Sequence, residues 1–399
     1  MVDPGTVLTL AVALLASGVM AWVIGAGSSG ATPFAAAVGA NAISILRAAL
    51  LVGILGFFGA ALQGGSVSRA VGTELVGGVS LPPVGVIAAL VIGAGLMLVG
   101  IFTGYPIATA FTVTGAIVGV GLALGGTPAW GKYTEIVALW ILTPPLGGGV
   151  AYAIASILPR EDVPEALSVP VLAGLVGAVV ANVRFALLGG AAGTAGGASS
   201  IAATITYRFG ADPVAGRVAV TLAVAVALTL AVRWAVRRDQ ATALRRFLLV
   251  LGGLVAFSAG GSQVGLAVGP LLPLLSDFAV PLSAILVAGG LGMLVGSWTG
   301  APRMIKALSQ DYASLGPRRS ISALVPSFVI AQVAILLGVP VSFNEIVVSA
   351  IVGSGLAVGG LGGTSPAKLG RTVLAWIGSL VLALGLGYGI FTVIDGVIA

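Results

Sequence analysis

Long apolar blocks separated by short polar stretches dominate the chain. Segments of about 20 mainly apolar residues, the length that crosses a bilayer as a helix, fall at 5–25, 43–63, 82–102, 105–125, 134–158, 169–192, 213–236, 247–275, 279–299, 321–338, 343–360 and 372–397. A shorter run, 195–206, is ambiguous. The pattern predicts an all-α polytopic membrane protein of about 10–12 spans or half-spans, since an open strand cannot pair its backbone groups in lipid. The remaining loops leave no room for a soluble domain, and the first apolar run lacks a basic segment ahead of it, so it reads as a span and not as a cleaved signal.

The blocks repeat. Residues 104–126 read GYPIATAFTVTGAIVGVGLALGG and residues 338–360 read GVPVSFNEIVVSAIVGSGLAVGG, identical at 12 of 23 positions with an offset of 234. Ala26-Gly27-Ser28-Ser29 and Gly260-Gly261-Ser262-Gln263 share that offset. Two repeats are expected, within 1–192 and 193–399 of a single membrane domain. Two basic loops, one with Arg233, Arg237, Arg238, Arg245 and Arg246, the other with Arg303, Lys306, Arg318 and Arg319, should face the cytoplasm. The matching loops of the first half carry only Arg69, and seven runs precede the second copy, so the repeats should be inverted. Inverted repeats with broken helices mark transporters whose substrate site lies near the midplane.

Composition narrows the classes. Only 8% of the 399 residues are charged and 58% are hydrophobic, against about 25% charged in a soluble domain, and the mean hydropathy is +1.16. The net charge of +6 sits in a few loops and reads as a topology signal, so no nucleic-acid partner is expected. The chain has neither cysteine nor histidine, which removes thiolate sites and the commonest general base and transition-metal ligand. A membrane enzyme is not expected, nor a cofactor. With 62 glycines, close helix packing and a possible homodimer are expected, along with partners in the bilayer lipid.

Four polar interruptions could carry chemistry. The stretch 25–33, GAGSSGATP, should break a helix and free backbone groups beside Ser28, Ser29 and Thr32; it could equally be a turn outside the membrane. The stretch 257–265 should break likewise, with Ser262 and Gln263 as binding groups, or with Gln263 as a structural tie. Pro106 and Pro340 should each open a helix whose first turn carries hydroxyls near free N–H groups, an anion cradle involving Thr109, Ser342 and Asn344. Glu345, acidic at the start of an apolar helix, could hold a coupling cation or a proton, or simply face water. Arg47 and Arg184 are expected to snorkel, and the acidic loop with Glu161, Asp162 and Glu165 has no evident partner.

These four elements, in this order, resemble the inorganic phosphate transporter (PiT) family, which carries GANDVANA twice and a PVSTTH-like segment in each half. The first signature corresponds to Ala26–Pro33, the second to Gly260–Ala267 followed by Gly269-Pro270, and Pro340-Val341-Ser342 matches the start of PVSTTH. The stretch 298–305, continuing to 315–318, is also similar to the family's second half. The family's aspartates fall on Ser29 and Gln263, its asparagines on Ser28, Thr32, Ser262 and Leu266, and its PVSTTH histidines on Phe111 and Glu345. The resemblance implies phosphate ligands at Ser28, Ser29, Thr32, Thr109, Ser262, Gln263 and Ser342. It implies coupling to Na+ or H+, and the loss of both family aspartates leaves proton coupling through Glu345, or a changed substrate, as the alternatives.

The reading is therefore a secondary active transporter in the cell membrane that moves inorganic phosphate by alternating access. A site rich in hydroxyl and N–H donors would also suit sulfate or another oxyanion. Rivals are a non-transporting membrane sensor or partner derived from a transporter, and a gated channel.

Overall fold

Seventeen α-helices make up most of the residues described, 4–159, 165–189 and 197–398, in a computed structural model of the chain. The first half holds α1 (Pro4–Gly27), α2 (Ala35–Gly39), α3 (Ile45–Gln63), α4 (Gly65–Thr73), α5 (Pro83–Thr103), α6 (Thr109–Ala123) and α7 (Trp130–Ile157). Three helices follow, α8 (Glu165–Asn182), α9 (Ile201–Arg208) and α10 (Pro213–Arg238). The second half holds α11 (Gln240–Val268), α12 (Leu272–Leu275), α13 (Leu282–Thr299), α14 (Ala301–Gln310), α15 (Pro317–Leu337), α16 (Phe343–Gly359) and α17 (Pro366–Ile398). Two antiparallel pairs of two-residue strands complete it: β1 (Val76–Gly77) with β2 (Thr127–Pro128), and β3 (Arg184–Phe185) with β4 (Ser199–Ser200).

Each of the twelve apolar runs contributes a helix, although the run 169–192 leaves α8 at Asn182 and enters β3, with 190–192 outside the described residues. Ten helices among the described residues are long and apolar enough to cross a membrane, and the other two runs give the shorter α6 and α16. The ambiguous run 195–206 supplies β4 and the start of α9, with 195 and 196 outside the described residues.

The 234-residue offset reappears in how helices start and stop. Pro83 and Pro317 occupy the first position of α5 and α15, where a missing N–H costs nothing. Gly104 and Gly338 end these helices in the left-handed region, at φ 76° and 63°, which a residue with a Cβ adopts only at a cost. The chain then turns through a few extended residues into α6 or α16. Gly85 lies against Val120, Gly93 against Val113 and Gly100 against Ile107, so α5 and α6 run antiparallel as a helical hairpin. The fragments α5–α6 and α15–α16 are equivalent hairpins.

The halves exchange partners. Helix α6 packs most extensively on α17 and α16 on α7, while α1 packs on α13 and α3 on α11. Glycines allow these crossings: a Cβ on Gly353 of α16 would run into the Gly148 carbonyl of α7, and one on Gly119, its equivalent in α6, into the Leu384 carbonyl of α17. Gly353→Val should therefore force α16 and α7 apart and lower stability by about 1–3 kcal/mol. Thermal unfolding in detergent would show this as a lowered midpoint; an unchanged midpoint would contradict the packing.

Helix α10 buries only Val236 and packs on α8, so the α8–α10 unit lies at the periphery. Glu165, at the start of α8, is buried and does have partners: it accepts from the Arg318 guanidinium and the Gln240 amide, tying this unit to α15 and α11. Its sequence neighbours Glu161 and Asp162 lie outside the described residues. Arg47 and Arg184 are exposed.

Candidate functional site

The first polar interruption is a true break. Helix α1 ends at Gly27, and the N–H groups of both Ser28 and Ser29 bond to the Ile24 carbonyl before the chain turns toward Pro33. The second differs from the sequence expectation. Helix α11 runs unbroken through Gly260–Gly265 to Val268, and the α-helix gives way to a 3-10 turn only at Gly269–Leu271. The reason is steric. A Cβ on Gly260 would meet the Gly56 carbonyl, and one on Gly265 the backbone of Val67 and Ser68. These glycines bring α3 and α4 against α11, while proline, the stronger breaker, comes only at 270. Ser262 and Gln263 thus project from an intact helix.

The prolines are also displaced from their expected places. Pro106 and Pro340 each lie three residues before the first residue of α6 or α16, in the extended connection that a residue preceding proline favours. Their carbonyls accept from two tryptophans. Trp376 of α17 donates to Pro106 at 2.7 Å, and Trp140 of α7 donates to Pro340 at 2.8 Å. Each hairpin tip is thus held by the long helix of the other half. Sequence reading missed both tryptophans, although their recurrence at nearly the repeat offset was a usable signal.

The nine candidate side chains are all at most 2% exposed. Hydrogen bonds join several of them across the four elements. Ser28 donates to Gln263 Oε1 at 3.4 Å, and Gln263 Nε2 donates to the Val341 carbonyl at 2.6 Å. Asn344 Nδ2 donates to the carbonyls of Gly27 at 3.2 Å and Ile107 at 2.7 Å, so one amide links the end of α1 and both hairpin tips. Ser342 caps α16 by accepting from the Glu345 N–H at 3.4 Å. Ser29 and Thr32 do not join this network: their hydroxyls turn back to the Ile24 and Ser28 carbonyls.

Other polar atoms are left over. Thr109 Oγ1, Ser262 Oγ, Asn344 Oδ1 and Glu345 Oε2, with Thr114 Oγ1 on α6, are buried and have no hydrogen-bond partner among the described residues. Buried polar atoms are nearly always paired, so their concentration at these elements is itself a site signal. Thr114 was not anticipated; it lies five residues beyond Thr109 in α6, which also carries Thr112, whose hydroxyl bonds to the Ala108 carbonyl. Phe111 and Glu345, the third residues of α6 and α16, hold equivalent positions. Phe111 stacks on Trp140 with ring centroids 3.9 Å apart, whereas Glu345 places a carboxylate in its equivalent position.

The match that decides the family is extensive: a model described as the phosphate transporter family covers residues 24–387. The chain belongs to the phosphate transporter family. It is similar to a putative phosphate permease of Thermococcus kodakarensis, 28% identical over 380 residues that cover 90% of each chain. It is also similar to the chloroplastic inorganic phosphate transporter 2-1 of Arabidopsis thaliana, 24% identical over 90% of this chain and 67% of that one. A solved structure described as the sodium-dependent phosphate transporter shares the fold with a TM-score of 0.81 at 22% identity, covering 98% of this chain and 100% of that one. Members of the phosphate transporter family carry phosphate and are not enzymes, and the chain is a multi-pass integral membrane protein of the same kind.

Proposed function

We propose that the protein is a secondary active transporter that carries inorganic phosphate by alternating access, coupled to a cation gradient through Glu345. The observation that carries this reading is the set of unpartnered polar atoms at the meeting of the α1 end, α11 and the two hairpin tips. Thr109 and Ser262 offer hydroxyl donors to phosphate oxygens, beside the N-terminal turns of α6 and α16, where free N–H groups and the helix dipole favour an anion. Gln263 and Ser28 brace this arrangement and Asn344 holds the tips together.

Asn344 Oδ1 and Glu345 Oε2 are acceptors, and this supports phosphate over sulfate. Hydrogen phosphate brings an O–H to satisfy one of them, whereas sulfate brings only further acceptors. An ionised Glu345 beside an anion would be repelled unless a cation or proton arrived with it. That requirement supports coupling, with Na+ held by neutral oxygens plus one carboxylate, or a proton carried on Glu345 itself.

The test is uptake of labelled phosphate and labelled sulfate into proteoliposomes with Na+ and H+ gradients imposed separately. Phosphate accumulation driven by one of the gradients is expected. Sulfate accumulation alone would overturn the substrate assignment, and no uptake of either by folded protein would favour a non-transporting relative.

A further inference from the structure

Two surface contacts far apart in sequence are built to one plan. In the first half, Glu74 caps the C-terminus of α4 and pairs at 3.0 Å with Lys132, the third residue of α7. In the second, Asp311 caps the C-terminus of α14 and pairs with Lys368, the third residue of α17. Two residues beyond each cap the chain forms an antiparallel bridge to the residue two before the long helix: Val76 to Pro128, and Ala313 to Thr364. Each contact, here termed a clasp, also holds an aromatic hydroxyl: Tyr133 donates to the Leu75 carbonyl at 2.7 Å, and Tyr312 bonds to Thr372 at 2.8 Å.

The count of candidate spans puts the clasps on opposite faces of the membrane. Between Lys132 and Lys368 the chain crosses through α7, α8, α10, α11 and α13, an odd number, and then passes in and back through the α15–α16 hairpin. Each clasp is tied to the central site by its long helix. Trp140 follows Lys132 by eight residues and Trp376 follows Lys368 by eight, which is about 12 Å along a helix, and these tryptophans hold the Pro340 and Pro106 carbonyls. The second clasp also touches its hairpin directly, with the Lys368 ammonium 5.5 Å from the Tyr105 ring and Arg371 donating to the Tyr105 hydroxyl at 3.4 Å.

We infer that the two clasps are the gates of the transport cycle, Glu74–Lys132 at one face and Asp311–Lys368 at the other, released in turn. This rests on the transport reading above. The materials suit the task. The carboxylates are 49% and 43% exposed and each bridge involves at most two residue pairs, so a clasp can open by breaking few contacts, with Val76 lifting off Gly121 of α6 in the first. Opening one frees α7 or α17 to tilt at one end, and the tryptophan carries that motion to a hairpin tip. Because α7 holds the α15–α16 tip and α17 the α5–α6 tip, and Asn344 joins the two tips, movement at one face is transmitted to the other.

The chain has no cysteine, so each clasp can be locked alone. Antiparallel partners have Cα atoms about 4.5–5.5 Å apart, inside the disulfide range. The pairs Val76→Cys with Pro128→Cys, and Ala313→Cys with Thr364→Cys, should close on oxidation, as checked by mass spectrometry. Loss of phosphate uptake on oxidising either pair, restored by reductant, is expected. Uptake by the locked protein equal to that of its reduced form would overturn the inference. Hydrogen exchange gives a readout independent of substrate. Locking the first clasp should slow exchange at Val339 and Val341, and locking the second should slow it at Tyr105 and Ile107. Unchanged exchange at both tips would overturn the inference. Absence of uptake by the reduced and parent proteins alike, with the exchange response present, would instead remove the phosphate assignment and leave the clasps standing.

Discussion

Glu345→Gln is expected to leave the protein folded and to uncouple it. The side chain is buried at 2% exposure with Oε2 unpartnered, and glutamine keeps its volume while removing the charge and the proton. A cation that assists phosphate binding contributes a coupling of about 1–3 kcal/mol, or roughly 5–150-fold in affinity. The variant should lose that factor: phosphate binding becomes independent of Na+ and pH, and gradient-driven accumulation falls to the level seen without a gradient. Binding isotherms at several cation concentrations, with uptake measured in parallel, would show it. Full coupled uptake by the variant would remove Glu345 from the mechanism. The result also separates this carboxylate from Phe111, its repeat equivalent, whose replacement should disturb packing on Trp140 and not the cation dependence.

Asn344→Leu should do more damage to the scaffold. The amide nitrogen serves the carbonyls of Gly27 and Ile107, and leucine would leave both buried without that donor. Each such loss costs about 1–3 kcal/mol, so stability should fall by roughly 2–6 kcal/mol and the hairpin tips should separate. Phosphate affinity should drop at least tenfold, since about 1.4 kcal/mol of lost preorganisation suffices for that. Thermal unfolding and phosphate titration of the same preparation would test both parts. A variant as stable as the parent would mean that Asn344 does not fasten the tips.

The helices and their repeat were legible in the sequence because their signals are local. Apolar length gives spans, and Pro83/Pro317 and Gly104/Gly338 start and stop equivalent helices at the same offset. The elements of the candidate site were conspicuous for a related reason: a polar residue inside an apolar run stands out. What such a residue does there was less legible. Glycines at 260, 261 and 265 look like breakers, yet α11 passes through them intact and they admit α3 and α4, a fact that depends on segments about 200 residues away. Ser29 and Thr32 read as ligands, but their hydroxyls close on their own backbone. The partners of Glu165 and the clasps join residues distant in the chain and no local pattern announces them, and the Trp140 and Trp376 bonds do likewise, with only the near-repeat spacing of the two tryptophans as a clue.

The exchange of partners between halves also sets an order of assembly. Helix α6 is buried through Gly121, and the helix that covers it most extensively is α17, the last 33 helical residues of the described chain. At about 5–20 residues per second of synthesis, α6 must wait tens of seconds for its cover. During that interval the first half is an unfinished intermediate whose glycine-lined face is open to lipid or to an insertion factor. Helix α17 therefore completes this pairing late, and a chain cut short before it would leave α6 without its main cover.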